Sequence, residues 1–400
     1  MTLRVAFLVD TFPRESQRFI VNQVTGLLDR GHEVTVYSTN RPDEGDFANT
    51  HHDLVEYTVY TPIPTNRKRR VIKSGRHFLS GALTSPLSVA QASNPLQFGK
   101  DALSLRPLYR LAPMLRKSFD IVHVHFGPNG RIAAILKQIG MFGSFVTTLH
   151  GFGVRQAREH PEQYSRLFAV GDRFLANSQY TYQQLRDLGV DEEKLELHYN
   201  SIEVEEFPFR WSGPLQSIPE PLKLITVGRL EDVKGIEHGL RAVAQLQEGR
   251  DEPIEYHVVG DGSRRPALES LAEKLGIGSA VTFHGHRHRD EVKDHLSESH
   301  LFILPSVEEA FGMVLVEAQA VGLPIVASDV GGIPEAVREG VTAKLVPPGE
   351  SQAIAAGLEG WINRFDEWPE IGAEGREYAK SKFEKNALID ELIKIYRETR

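Results

Sequence analysis

Short apolar runs recur along this chain and alternate with segments that have helical periodicity. Most of the runs are continuous stretches of Val, Ile, Leu and Phe, which is typical of strands buried on both faces of a parallel sheet. Ten runs are predicted as strands: Arg4–Asp10, Glu33–Ser38, Ile121–Phe126, Phe145–Leu149, Arg173–Ser178, Leu222–Gly228, Glu255–Gly260, Ala280–Gly285, Leu301–Ser306 and Pro324–Ser328.

The segments between these runs have the apolar spacing of amphipathic helices. Two sets follow one helical face: Ile236, Leu240, Val243 and Ala244, and Leu268, Leu271, Ala272 and Leu275. Strands that alternate with such helices predict βαβ units and doubly wound sheets. Four prolines accumulate between Glu203 and Pro221, so we interpret this stretch as a linker between two Rossmann-like domains. We expect ligands at the carboxyl ends of the strands, in a cleft between the domains.

The composition excludes several kinds of site. The 400 residues include no cysteine, which excludes disulfides, thiolate metal sites and a cysteine nucleophile. The apolar stretch after Arg4 stops at Asp10, too short for the core of a signal peptide. No run approaches the roughly 18 apolar residues of a membrane span. We therefore expect a cytoplasmic protein.

Charge is divided unevenly along the chain. Residues 1–200 carry 24 Lys and Arg against 19 Asp and Glu, whereas residues 201–400 carry 22 against 35. The basic excess is concentrated in residues 51–150, which indicates an anionic partner for the first half. The net charge of −8 and the lack of aromatic residues between the basic ones argue against nucleic acid.

Two cations follow a predicted strand in the segment Val227–Gly235. Arg229 lies at the end of the strand and Lys234 at the start of the next helix, where the helix macrodipole makes a cation unfavourable. Two cations beside helix amides are explained if an anion such as a diphosphate binds among them. The alternative is that both are solvated surface charges.

Two glutamates follow another predicted strand. Phe311-Gly312 is predicted to turn into a helix that runs to Gly322, with Glu309 in the loop and Glu317 inside the helix. Eight residues apart, the glutamates do not share a helical face, which suits carboxylates that contact different parts of an extended ligand. Glycine at the helix start would let a ligand approach the backbone amides. The alternative is two ordinary acidic surface residues.

A third segment, Gly331-Gly332-Ile333-Pro334-Glu335, also follows a strand. Two glycines and a proline at the start of a helix are typical of a tight turn. A structural connection and a ligand contact explain this segment almost equally well.

These three segments, in this order, resemble the retaining glycosyltransferases of the glycogen-synthase and sucrose-synthase type, family 4 in particular. The matching sequences are GRLEDVKG and PSVEEAFGMVLVEAQAVGLPIVASDVGGIPE, in which seven residues separate Glu309 from Glu317. The resemblance covers essentially the whole chain. It implies the α/β fold called GT-B, with two Rossmann-like domains facing across a cleft and a last helix that crosses back to the first domain. The domains would be residues 1–205 with helix 380–400, and residues 206–379.

The resemblance implies a role for each matched residue. Arg229 and Lys234 would bind the donor diphosphate and stabilise it as the leaving group. Glu309 would contact the donor sugar near its reacting carbon, and Glu317 would bind the ribose hydroxyls. His150, at the end of a strand, matches the family's histidine that meets the donor sugar, so the catalytic set is Glu309, His150, Arg229 and Lys234. Backbone groups would complete the donor site at these positions: Phe311, Gly312, Met313, Gly285 and His286.

The reaction implied is transfer of a hexose with retention at the anomeric carbon. The donor would be a nucleotide-diphosphate sugar, with a UDP-sugar favoured over GDP-mannose. The acceptor would be a carbohydrate or lipid-linked molecule in polysaccharide or glycoconjugate biosynthesis. No cofactor and no metal ion are expected, because cationic side chains and helix dipoles neutralise the leaving charge and no Asp-x-Asp motif is present.

The loop Asp10–Ile20 indicates a branch of the family. It lacks the Gly-Gly pair of many members and is similar to the Phe-Pro…Ser-Glu-Thr-Phe loop of the bacterial colanic-acid and exopolysaccharide branch. Ser16 and Phe19 fit that pattern, whereas Gln17 and Arg18 replace Glu and Thr. The candidate acceptor-side residues are Pro13, Ser16, Gln17, Arg18 and His125. His123 and His125 share a face of one strand, and without a third metal ligand we favour a packing role for them.

Two basic stretches, residues 67–79 and 106–117, are predicted as amphipathic helices. Their apolar faces are Val71, Ile72, Phe78 and Leu79, and Leu108, Leu111, Ala112 and Leu115. Such helices bind anionic membranes, so we expect peripheral contact with the inner face of the cell membrane next to a lipid-linked acceptor. Packing helices with a solvated basic face explain the pattern equally well.

Three other functions share parts of this pattern. A nucleotide-sugar 2-epimerase would have the same fold but not the family-4 glutamate spacing. A Rossmann oxidoreductase is disfavoured because Gly260-Asp261-Gly262 lacks the third glycine of a dinucleotide fingerprint. A catalytically silent nucleotide-sugar-binding scaffold is disfavoured by the matched cations and glutamates.

Overall fold

The chain divides into two compact units, each built on a parallel sheet. The computed structural model describes residues 1–43, 46–48, 50–115, 117–250 and 252–400, with residues 76–84 described by their backbone alone. The first unit comprises residues 1–199 and 385–400, and the second comprises residues 200–384.

The sheet of the first unit has the strand order β3-β2-β1-β4-β5-β6-β7, and all neighbouring strands are parallel. Its strands are β1 (Arg4–Thr11), β2 (Glu33–Asn40), β3 (Thr58–Tyr60), β4 (Ile121–His125), β5 (Phe145–Leu149), β6 (Arg173–Ala176) and β7 (Leu195–Leu197). The helices in residues 1–199 are α1 (Arg18–Asp29), α2 (Arg67–Thr84), α3 (Pro86–Ala92), α4 (Pro95–Leu103), α5 (Arg106–Leu111), α6 (Gly127–Gln138), α7 (Gly151–Glu159), α8 (Pro161–Val170) and α9 (Gln179–Asp187).

The sheet of the second unit has the order β10-β9-β8-β11-β12-β13 and is also parallel. Its strands are β8 (Leu222–Val227), β9 (Ile254–Val259), β10 (Val281–Gly285), β11 (Leu301–Leu304), β12 (Ile325–Ser328) and β13 (Ala343–Val346). Its helices are α10 (Ile236–Glu248), α11 (Arg265–Lys274), α12 (Arg289–Glu298), α13 (Met313–Val321), α14 (Ile333–Ala336), α15 (Ser351–Ile362) and α16 (Trp368–Phe383).

The last helix, α17 (Lys385–Thr399), belongs to the first unit. It packs so closely on α1 that a Cβ at Gly26 would lie 2.6 Å from Cγ1 of Ile389. Tyr396 is fully buried, and its hydroxyl lies 2.6 Å from Nδ1 of His123 on β4. Helix α17 is therefore part of the same core of the first unit as β1 and β4.

Strand β1 shows why the apolar runs are continuous. Val5, Phe7 and Val9 lie in one apolar cluster of the first unit, whereas Ala6 and Leu8 lie in another. Because successive side chains of a strand point to opposite faces, a strand covered by helices on both faces needs apolar residues at every position.

All ten predicted strands are confirmed, with ends that differ by at most two residues. The sequence analysis missed β3, β7 and β13, which are only three or four residues long. The predicted C-terminal helix is two helices, since α16 ends at Phe383 and α17 begins at Lys385.

The proline-rich stretch follows the point where the chain passes from the first unit to the second, between residues 199 and 200. Residues 200–221 belong to the second unit. Nε1 of Trp211 donates to the carbonyl of Gly322 at 2.6 Å, and the amide of Arg210 donates to the carbonyl of Val321 at 2.9 Å. This segment therefore packs against the end of α13.

Only one of the two basic stretches has exposed apolar side chains in its described part. In 106–117, Leu108 and Leu111 are buried, and Arg110 is 2% exposed, so this stretch packs in the core and does not offer a membrane-binding face; Arg116 lies outside the described residues. In 67–79, Val71 and Ile72 are 54% and 77% exposed, and the side chains of 76–79 lie outside the described part. No helix among the described residues is long and apolar enough to cross a membrane.

We predict that protonation of His300 contributes to acid unfolding of the second unit. Its Nδ1 accepts a hydrogen bond from the amide of Lys223 at 2.9 Å, and burial, with smaller contributions from Arg210 and Lys223, lowers the pKa of His300 to about 3. In the unfolded chain this histidine takes up a proton near pH 6.5. The contribution of neutral His300 to the free energy of unfolding is therefore complete above pH 6.5 and is lost as the pH falls toward 3. His300→Asn should reduce the pH dependence of the unfolding free energy by about 1.4 kcal/mol per pH unit below pH 6.

The measurement is urea unfolding between pH 7.5 and 4.5, followed by tryptophan fluorescence. All three tryptophans, Trp211, Trp361 and Trp368, lie in the second unit and report on it. His160→Asn, at an exposed histidine of the first unit, is the matched control. An unchanged slope in His300→Asn would contradict the assignment.

Candidate functional site

The loops after β8 and β11 are held together by their backbones. The amides of Val307 and Glu308 donate to the carbonyl of Val233 at 2.9 and 3.2 Å. Gly235 has φ +57°, and a Cβ there would lie 2.2 Å from the carbonyl oxygen of Pro305. Only glycine fits this position, so the segment with Lys234 and the segment with Glu309 have a fixed relation.

Lys234 and Glu309 form an ion pair through Nζ and Oε2, with side chains 16% and 13% exposed. Lys234 ends a short 3-10 helix, Asp232–Lys234, and Glu309 lies in the loop between β11 and α13. The structure thus brings two predicted catalytic residues into direct contact. A cation and a carboxylate at this position can bind opposite charges on one ligand. Because both side chains are largely removed from water, their electrostatic interactions with a ligand are stronger than they would be at the surface.

Helix α13 begins beside this pair, as predicted. Gly312 has φ +90° and precedes the first helical residue, the half-buried Met313. The first amides of a helix have no intrahelical acceptors, so this end can bind an anion or hydroxyl groups. Phe311 is 2% exposed and its ring packs against Phe383 at 5.3 Å, so any ligand contact of Phe311 uses its backbone.

The Gly331-Gly332 pair supports the loop of Glu309. A Cβ at Gly331 would lie 1.8 Å from the carbonyl oxygen of Glu309, and one at Gly332 would lie 2.2 Å from that of Ala310. The amide of Gly332 also donates to the carbonyl of Glu309 at 3.1 Å. Of the two explanations for this segment, the structure supports a close backbone connection. Because that connection holds the loop of Glu309, the segment belongs to the candidate site.

Glu317 pairs with a residue that the sequence analysis missed. Its Oε1 lies 3.4 Å from Nη1 of Arg289, the first residue of α12, and Arg289 also pairs with Glu206 at 3.0 Å. The guanidinium of Arg289 lies over the ring of Phe207 at 5.0 Å. Nothing in the sequence around Arg289 marks it, because its importance comes from its partners in space.

Arg229 follows the carboxyl end of β8, and Gly285 and His286 lie at the carboxyl end of β10; the two strands flank β9 in the sheet. Arg229 and His286 are exposed, and Gly285 has φ +72°. Gly260, which follows β9, packs between the ends of β8 and β10. Its amide donates to the carbonyl of Gly285 at 2.9 Å, and a Cβ on it would lie 1.9 Å from the carbonyl oxygen of Gly228. The Gly260-Asp261-Gly262 motif was visible in the sequence, and considering it only as an incomplete dinucleotide fingerprint missed this packing role.

In the first unit, His150 belongs to a chain of buried side chains. Nδ1 of His125 lies 3.2 Å from Nε2 of His150, and Nε2 of His125 lies 2.9 Å from Oε1 of Gln23. The amide oxygen of Gln23 only accepts, so Nε2 of His125 donates to it and Nδ1 of His125 accepts from His150. Burial lowers the pKa of His150 to about 3 and that of His125 well below its usual value. Both rings are therefore neutral at pH 7.

His123 has the packing role that we favoured for it. Its Nδ1 lies 2.6 Å from the hydroxyl of Tyr396, and its Nε2 lies 2.7 Å from Oγ1 of Thr148. Its ring lies 4.3 Å from that of His125. Phe19, 4.6 Å from the ring of His150, connects the predicted acceptor loop to this cluster.

The predicted acceptor loop is held by Asp46, which the sequence analysis missed. The amide and hydroxyl of Ser16 donate to Asp46 at 3.0 and 3.3 Å, and Arg14 forms an ion pair with it. Arg18 begins α1 and pairs with Glu15 at 3.4 Å. Pro13 is buried and Gln17 is half-buried, so Ser16 is the exposed member of the predicted set in this loop.

Two family profiles match the chain. Residues 16–206 match the family described as Glycosyltransferase Family 4, and residues 210–378 match Glycosyl transferases group 1. The chain belongs to these family-4 glycosyltransferases. The predicted GT-B fold is thereby confirmed, together with the two parallel sheets of the structure.

Relatives of this glycosyltransferase extend over nearly its whole length. It is 28% identical to WcaL of Escherichia coli K12, which is named as a colanic acid biosynthesis glycosyltransferase, over 98% of this chain and 99% of that one. It is 28% identical to the amylovoran biosynthesis glycosyltransferase AmsK of Erwinia amylovora, over 88% and 89%. The structure of HepE from Anabaena in complex with UDP-glucose has a TM-score of 0.70 and 20% identity, over 98% of this chain and 99% of that one.

We predict that Gly331→Ala displaces the Glu309 loop. The new Cβ would overlap the carbonyl oxygen of Glu309, and alanine disfavours φ +60°, so the variant should lose at least about 1 kcal/mol of stability and most of the activity. Urea unfolding and a transferase assay measure both effects. Gly360→Ala on α15, where a Cβ meets nothing within 4 Å, is the control and should be neutral or stabilising. Wild-type behaviour of Gly331→Ala would contradict the role assigned to this glycine.

Proposed function

We propose that this glycosyltransferase moves a hexose from a UDP-sugar to a carbohydrate or lipid-linked acceptor, with retention at the anomeric carbon and without a metal ion at the donor site. The observation that carries the proposal is the Lys234–Glu309 pair at the N-terminus of α13. It supplies a cation, a carboxylate and helix amides within one small region of the second unit.

The chemistry needs two opposite charges to be stabilised. As the bond from the anomeric carbon to the diphosphate breaks, negative charge develops on the diphosphate and positive charge on the sugar. Lys234, Arg229 and the first amides of α13 would neutralise the diphosphate, and the carboxylate of Glu309 would stabilise the sugar. Binding would replace the Lys234–Glu309 pair by one contact from each residue to the ligand.

The acceptor and nucleotide are proposed from the relatives. WcaL and AmsK are named for the biosynthesis of colanic acid and amylovoran, which supports a role in exopolysaccharide biosynthesis. The HepE structure contains UDP-glucose, which supports UDP as the nucleotide. We propose that neutral His150 contacts the donor sugar and that the loop of Ser16 contacts the acceptor.

We predict that Lys234→Ala weakens UDP binding roughly 10- to 100-fold, the value of a hydrogen bond to a charged group. Glu309→Gln should leave UDP binding nearly unchanged and lower the transfer rate roughly 100-fold or more, because it removes charge needed in the transition state. Thermal unfolding with UDP, GDP, ADP and TDP and their sugars measures binding, and product analysis measures transfer. Lys274→Ala, an exposed lysine on α11, is the matched control.

Each alternative has its own outcome in this experiment. Stabilisation by a nucleotide sugar without any turnover would favour the silent scaffold. Conversion of the donor sugar in the absence of acceptor would favour the 2-epimerase. No stabilisation of the folded wild type by any of the nucleotides would contradict the proposed donor site.

We also propose that residues 67–79 contact an anionic membrane. Val71 and Ile72 on α2 are exposed beside Arg67, Lys68, Arg69 and Lys73, which are exposed too. Leu87 on α3 and Leu96 on α4, further along the chain, are also exposed, at 76% and 97%. Apolar side chains surrounded by cations fit the boundary between acyl chains and anionic headgroups.

We predict that Lys68→Glu/Arg69→Glu abolishes most of the binding to vesicles that contain anionic lipid, since each cation near the surface contributes about 1 kcal/mol. Flotation at low salt measures the bound fraction. Lys274→Glu/Lys394→Glu changes the net charge equally, at exposed lysines elsewhere, and should bind like the wild type. Equal binding of both variants, or none by the wild type, would contradict the proposal.

A further inference from the structure

Three potential metal ligands converge at the end of α1. Asp29 is the last residue of that helix, and His51 and His52 lie in the connection between β2 and β3. Nε2 of His51 and Nε2 of His52 both lie 2.8 Å from the same oxygen, Oδ1 of Asp29. Across the part of the chain that the structure describes, no other three histidine or acidic residues place their ligand atoms within 4.8 Å of one another.

Neighbouring groups hold these side chains in place. Nζ of Lys385 lies 3.9 Å from the other oxygen, Oδ2 of Asp29, which leaves Oδ1 to the imidazoles. Oγ1 of Thr50 donates to the carbonyl of His52 at 2.8 Å and accepts from its amide at 3.3 Å. The ring of Tyr57 stands edge-on to that of His52, 6.2 Å away. These contacts restrain the carboxylate of Asp29 and the backbone and ring of His52 before an ion binds.

The charges of the region suit the binding of a cation with moderate affinity. The carboxylate of Asp29 lies at the C-terminus of α1, where the helix dipole is negative. Lys385 opposes a metal ion by its own charge, but it lies on the far side of the carboxylate. The side chain of His51 is 63% exposed, so water can complete the coordination.

We propose that Asp29, His51 and His52 bind a divalent transition-metal ion, with Zn²⁺ the best match to two imidazoles and one carboxylate. Zn²⁺ binds nitrogen and oxygen at about 2.0–2.2 Å, which places tetrahedral ligand atoms about 3.3 Å apart. Both Nε2 to Oδ1 distances of 2.8 Å must therefore open by about 0.5 Å, through small rotations of the side chains of His51, 63% exposed, and His52, 22% exposed.

The ion would fix a segment that also holds the predicted acceptor loop. Asp46 binds Ser16, and the amide of Ala48 donates to the carbonyl of Pro13 at 3.3 Å. The twelve residues of α1 place Asp29 about 18 Å from the start of that helix, so the ion would lie at the opposite end of α1 from the predicted acceptor loop. The ion would connect the two ends of α1 through contacts made by residues 46–48 and 50–52. This site is independent of the proposed donor site.

The experiment uses the full chain without a histidine tag, treated with a chelator and titrated with Zn²⁺ in a calorimeter. The wild type should bind one ion at this site, and its thermal midpoint should rise with Zn²⁺ concentration. His51→Ala/His52→Ala should bind at least about tenfold more weakly and lose the rise. His160→Ala, an exposed histidine of the same unit, is the matched control and should behave like the wild type.

A second variant separates metal binding from folding. His51→Gln/His52→Gln keeps amide donors for Asp29 but removes the imidazoles, so it should fold like the wild type and still lose the ion. Co²⁺ provides a spectroscopic readout, since its visible absorption on binding should appear in the wild type and not in this variant. Equal Zn²⁺ affinity in the wild type and the glutamine variant, or no one-to-one binding by the wild type, overturns the proposal.

Discussion

Backbone contact between the loops after β8 and β11 is the constraint on which the candidate donor site depends. The carbonyl of Val233 accepts from the amides of Val307 and Glu308, and Gly235 lies against Pro305 with no room for a side chain. Lys234 and Glu309 are carried by these two loops, so their ion pair follows from the contact between them. Gly331 and Gly332 hold the same loop from the other side. Positioning by backbone leaves the charged side chains available for a ligand.

The first unit positions its polar residues differently, through buried side chains. Gln23, His125 and His150 form a chain of hydrogen bonds, and His123 is held by Thr148 and Tyr396. Desolvation keeps the pKa values of these histidines low, so the rings are neutral and each can donate one hydrogen bond and accept another. A neutral His150 can meet sugar hydroxyls but cannot neutralise a diphosphate. The two units thus differ in the chemistry that they offer.

The sequence predicted the features that depend on local pattern and missed those that depend on contacts in space. Continuous apolar runs located ten strands, and Phe311-Gly312 located the start of α13, because burial and helix initiation leave local signals. Short edge strands such as β3 and β7 bury too little to produce such a signal. Arg289, Gln23 and Asp46 matter through partners that are 28 to 102 residues away in the chain, so a single sequence does not mark them. Arg110 appeared to belong to a basic surface, yet its guanidinium binds the carbonyls of Tyr37 and Val9 inside the core.

The place of α17 has a consequence for the order in which the chain is made. Tyr396, Leu392 and Ile389 complete an apolar cluster whose first members are Leu3, Val5 and Phe7. During synthesis residues 1–199 of the first unit leave the ribosome early, but its core lacks these side chains until residues 385–400 have emerged. The second unit, residues 200–384, has its whole sequence available sooner. The unit that is begun first is therefore completed after the second unit, and loss of residues 385–400 would damage the N-terminal fold while leaving the sequence of the second unit intact.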